Sequence, residues 1–75
     1  MNKIYKQELL NMPNEQIATL TKKRFIKIVL NNGKYKEVCI QNLLAAGNPP
    51  HLFVGFLTAD NQNIYLQDIN YVELL

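Results

Sequence analysis

Two short clusters hold the residues most able to do chemistry. Lys22, Lys23 and Arg24 form a consecutive basic run, and Lys34 and Lys36 flank Tyr35 just after an Asn-Gly pair. Cations of this kind displace counterions along a phosphate backbone, and a flat ring stacks on an unpaired base for about 1–3 kcal/mol. The other bases, Lys3, Lys6 and Lys27, stand singly. Basic runs are commonly no more than solvated surface. A formal charge of +2 with a pI near 8.8 does not by itself mark a nucleic-acid binder, so position matters more than sum.

Catalysis has little to draw on. The chain has no serine, one cysteine, Cys39, inside an alternating strand pattern, and one histidine, His51, after two prolines in a loop. Neither a Ser-His nor a Cys-His pair can be drawn, and a lone histidine cannot share a metal with a second one. Asp60 and Asp68 flank a strand pattern instead of facing each other, and no phosphate-binding or dinucleotide fingerprint occurs. The expectation is no enzyme, no metal and no cofactor.

These side chains need a scaffold. Seventy-five residues make one domain, and a chain this short buries only about three fifths of its unfolded surface, so support from partner chains is expected. An apolar fraction of 48% with 19% charged residues excludes disorder. A single cysteine excludes an internal disulfide and points to a reducing compartment. The start "MNKIYKQELL" lacks the apolar core of a signal peptide, and no run approaches the roughly 18 apolar residues of a membrane span. The reading is a soluble cytoplasmic protein.

Tyr5, Leu9 and Met12 at i, i+4, i+7 predict a helix over Lys3–Met12, which Pro13 ends. Asn14 as N-cap and the Ile17/Leu20 pair predict a second, short helix. The period then drops to two: Ile26, Ile28 and Leu30, then Val38 and Ile40, read as a hairpin around "NNG". A two-residue Asn32-Gly33 loop would set Ile28 against Glu37 and bury a carboxylate, so the expected register pairs Ile28 with Val38 and Ile26 with Ile40. That register leaves Asn32 to Lys34 in the loop. "NLLAAGNPP" is a break whose first part forms one helical turn or a bent strand end. "HLFVGFL" is apolar on both faces, with Gly55 placed for a bend or a close backbone approach. "IYLQ" and "DINYVELL" supply two more strands. The sum is a mainly β (α+β) domain over 1–75: a helical part to residue 23, then a five-stranded, strongly bent antiparallel small barrel of SH3-like or Sm-like type over 24–75.

The stretches "ATLTKKR", "IVLNNGK", "LFVGFL" and "YLQDINYV", across about Ile17 to Val72, resemble the Hfq branch of the Sm-like RNA-binding proteins. That resemblance implies a homo-oligomeric ring joined edge to edge through the last strands, binding single-stranded RNA in post-transcriptional regulation or RNA chaperoning. Carried over by position, Lys22, Lys23 and Arg24 match the basic rim, and Phe53 the aromatic that stacks bases near the pore. Tyr65 and Gln67 fall in the proximal motif, and Lys34, Tyr35 and Lys36 on the opposite face. Leu66 and Gln67 stand where the family has Lys-His, and a glycine expected in the second strand is replaced near Val38. A remoter similarity is to the Rho-binding antiterminator proteins, which grip a protein. The rival function is therefore a small protein-interaction module, a host- or phage-derived inhibitor or adaptor with the same barrel, supported by the two-sided apolar strand and the tail "VELL".

Overall fold

The chain is extended from Asn2 to Tyr5, before any helix begins. A computed structural model describes residues 2–48 and 52–75. It opens with strand β1 (Asn2–Tyr5), which buries Ile4 and leaves Lys3 and Tyr5 outside. The helix expected over Lys3–Met12 is thus corrected: helix α1 spans only Lys6–Leu10. Residues 2–5 are extended because β6 offers them a full antiparallel ladder, Asn2 opposite Leu74 through Tyr5 opposite Tyr71. Where the strand turns into helix, the Tyr5 backbone N–H donates to Glu8 Oε1 at 3.3 Å. Leu9 is buried, so the helical spacing was right for its last turn. Pro13 occupies the N-cap of helix α2 (Asn14–Thr21), and Asn14 is its first residue.

Strands β2 (Phe25–Leu30), β3 (Tyr35–Ala46), β4 (Leu52–Thr58), β5 (Asn63–Tyr65) and β6 (Ile69–Leu74) follow, with a 3-10 turn at Leu66–Asp68 before β6. They make one six-stranded antiparallel sheet in the order β1-β6-β2-β3-β4-β5. The expected bent antiparallel β architecture stands, with one strand more than expected and no helix at the N-terminus. β3 is long because it serves both halves. Its first part pairs with β2, and its second, from Ile40, pairs with β4 with register shifts at Ile40/Asn42 and Leu44/Ala45, where bulges increase twist. Leu43 to Ala46 are accordingly a bent strand end, one of the two readings of the sequence.

The hairpin register differs from expectation by two residues along β3. Ile28 faces Lys36 and Ile26 faces Val38, so Asn31, Asn32 and Gly33 form the loop. Leu30 N–H donates to Lys34 O at 2.8 Å, Gly33 N–H to Leu30 O at 3.0 Å, and Lys34 N–H to Asn32 Oδ1 at 3.0 Å. Gly33 has φ +88°, a left-handed value that glycine adopts at little cost. The faces themselves are as expected: Ile26, Ile28 and Ile40 are fully buried. They join Ile17, Phe56, Ile69 and Val72 in one core enclosed by both halves of the sheet.

Gly55 is the tightest point. A Cβ there would collide with the Ile64 carbonyl oxygen and lie 3.0 Å from Tyr65 Cα. The close backbone approach read from the sequence is present, made by β5 against β4.

Candidate functional site

The expected site residues divide among three places. Lys22, Lys23 and Arg24 are exposed on the turn between α2 and β2. Their backbone is tied to the first bulge of β3: Lys23 N–H donates to Ile40 O at 2.7 Å, and Ile40 N–H donates to Arg24 O at 3.0 Å. Lys23 takes φ +59°, uncommon for a residue with a side chain. The run is therefore a fixed loop, not a fraying helix end.

Tyr35 and its two flanking lysines separate. Tyr35 stands on the outer face of the sheet, and Lys27 Nζ lies 4.4 Å from its ring centroid, a cation-π contact. Lys36 has the opposite parity and stands across from Ile28 at the mouth of the sheet, where Nζ donates to Gln62 Oε1 at 3.4 Å. Lys34 shares that parity. Lys34, Tyr35 and Lys36, which the resemblance puts on one face, thus divide between two surfaces, because the side chains of neighbouring strand residues point to opposite sides.

Phe53, Tyr65 and Gln67 do come together. They line a groove of about 440 Å³ with Lys6, Leu10, Leu52, Val54 and Leu66, between α1, β4 and the β5 end. Phe53 forms its floor, only 6% exposed and packed edge-on against Phe56 with centroids 5.1 Å apart. A ring so covered has no free face for a base. Leu10, Leu52 and Tyr65 stand at the margins, 54%, 61% and 44% exposed. Although β4 is apolar on both faces, Leu52 at its start faces solvent. His51 lies outside the described residues.

Sequence reasoning missed Lys6 and Leu10, because Leu10 belongs to a helix whose orientation follows from β1. The signal available in "KQELL" was that Leu10, about 100° around the helix from Leu9, lies at the margin of any stripe centred on Leu9. It also missed that β6 is paired on both edges, by β1 and β2, so the free strand edges in the described sheet are those of β1 and β5. Among the described residues no group of three His, Cys, Asp or Glu side chains could hold a metal, and no helix is long and apolar enough to cross a membrane. No protein-family model, curated protein or solved structure matches the chain.

Proposed function

We propose that this chain is a small protein-interaction module with an SH3-like or Sm-like barrel, taking a short apolar segment of another protein into the groove between α1, β4 and β5. The observation that carries this reading is the ring of exposed Leu10, Leu52 and Tyr65 around a buried Phe53 floor. Apolar area of this kind, rimmed by polar groups, marks binding surfaces. Lys6 and Gln67 at the rim favour a segment carrying a carboxylate beside its apolar residues. The free edge of β5 lies next to Tyr65 and offers main-chain hydrogen bonds to an extended peptide. The order β6-β2-β3-β4-β5 supports the barrel assignment.

Peptide display against the intact chain tests this. The expected selection is for aliphatic or aromatic residues next to Asp or Glu, with binding lost in Leu52→Glu and Tyr65→Ala and retained in Tyr35→Ala. Selection of sequences indifferent to the groove variants would overturn it.

Single-stranded RNA binding is the second reading, supported by the exposed Lys22–Lys23–Arg24 turn. A homo-oligomeric ring of the Hfq kind would have to join the β5 edge of one copy to the β1 edge of the next, since β6 has no free edge. Salt-sensitive retention of A-rich or U-rich RNA, abolished by alanine at all three basic positions, is its expected signature.

A further inference from the structure

The half of the sheet made by β1, β6, β2 and β3 carries two ordered rows on its outer face. Lys3 stands opposite Glu73, Glu73 opposite Lys27, and Lys27 opposite Glu37. Read across the four strands, the charges alternate plus, minus, plus, minus. The next row on the same face runs Tyr5, Tyr71, Val29, Tyr35. The two lysines lean onto that row: Lys3 Nζ is 5.1 Å from the Tyr71 centroid and Lys27 Nζ 4.4 Å from that of Tyr35. Tyr5 and Tyr71 touch, with centroids 5.2 Å apart. At the middle of the face the neighbours cover Glu73 and Val29, each 8% exposed. Phe25 is on the same face, two residues before Lys27. Three of the seven large apolar side chains exposed among the described residues, Tyr5, Phe25 and Tyr35, therefore stand here, away from the groove.

We infer that this face docks on the same face of a second copy of the chain, forming a two-fold dimer. A row reading plus, minus, plus, minus is its own complement when reversed. Consider a two-fold axis lying in the interface, parallel to the strands and passing between β6 and β2. It sets Lys3 against Glu37 of the second copy, and Glu73 against Lys27 of the second copy. The same rotation sets Tyr5 against Tyr35 and Tyr71 against Val29, so the aromatic row is buried without breaking any charge match. A two-fold contact is isologous and leaves both copies equivalent, so it closes at two. With charges of one sign, or with an order such as plus, minus, minus, plus, the same rotation would set like charges against each other. The inference is independent of the groove, which lies at the α1, β4 and β5 side and stays open in such a dimer.

The test is charge reversal with mixing, read by sedimentation equilibrium on the full chain. The unmodified chain is expected as a dimer that weakens with salt. Lys3→Glu alone and Glu37→Lys alone each place two like-charge contacts in the homodimer, and dissociation is expected to rise about tenfold or more. An equimolar mixture of the two variants restores every contact, and a heterodimer of near-original strength is expected. Circular dichroism checks that each variant stays folded, since each also changes a neighbour within its own sheet. A conservative pair, Lys3→Gln and Glu37→Gln, serves where a reversal unfolds the chain, with dissociation then rising less in each and partial rescue on mixing, since the heterodimer keeps one of the two outer ion pairs. A monomeric unmodified chain, a dimer indifferent to both reversals, or a mixture of reversals that stays monomeric would each overturn the inference.

Discussion

The groove and the four-stranded face are both open to solvent and both carry exposed aromatic side chains, but they are held in opposite ways. The face is built where the strands keep one register, from Ile26 to Val29 on β2, so its chemistry is a set of cross-strand pairs: Lys27 with Tyr35, Tyr5 with Tyr71, Lys27 between Glu73 and Glu37. Each pair contributes separately, and each can be removed at modest cost. The groove is built where short pieces meet, α1, β4, the three residues of β5 and the following turn. Its shape depends on one backbone approach at Gly55. A surface made by pairing degrades gradually, whereas one made by backbone fit fails at a single atom.

The contrast is broken most directly at Gly55. Because the added methyl would meet backbone on β5, which cannot swing aside, Gly55→Ala is expected to cost about 3 kcal/mol or more, or to prevent folding. Urea denaturation checks it, and a loss too small to resolve would mean that β5 is free to shift. Next in size is Thr58→Val at the β4–β5 return. The Thr58 hydroxyl accepts from Gln62 N–H at 3.0 Å and donates to an Asp60 carboxylate oxygen. With Thr58 fully buried, its replacement strands these partners and is expected to destabilise by about 1–3 kcal/mol.

On the face the effects are smaller. Tyr35→Ala removes the ring under Lys27 and is expected to cost about 0.5–1 kcal/mol, with Lys27→Met no worse. A double-mutant cycle sharpens the point, since coupling between the two positions should account for much of either loss. Smallest of all is Tyr65→Ala at the groove margin, expected within about 0.5 kcal/mol of the parent in thermal melts. Within the groove the two positions then separate: Tyr65→Ala is expected to weaken the proposed peptide capture and hardly to affect folding, while Gly55→Ala is expected to disturb the fold that shapes the groove.

Much of the β architecture was legible in the residue order. Ile26, Ile28 and Ile40 announce a buried face because every second residue of a strand points the same way, and that parity survives any shift of register by a whole pair. The register itself was not legible. The sequence argument placed Ile28 against Val38 to keep apolar residues together, yet Lys36 sits opposite Ile28 because the sheet ends there and its ammonium reaches Gln62 outside. Of the groove, Phe53, Tyr65 and Gln67 were named from the sequence only as separate RNA contacts, and Lys6 and Leu10 were lost with the wrong assignment of the N-terminus.

By itself, then, the order of residues determined the β2–β3 hairpin, the inward set of isoleucines and the poverty of catalytic groups. Each follows from contacts between near neighbours or from the mere absence of a residue type. Tertiary structure alone decided that Asn2–Tyr5 is a strand, that β6 has no free edge and that Lys3, Glu73, Lys27 and Glu37 fall into one row. Those facts depend on pairing the two ends of the chain, and four residues with helical spacing carry no local mark of a partner some seventy positions away.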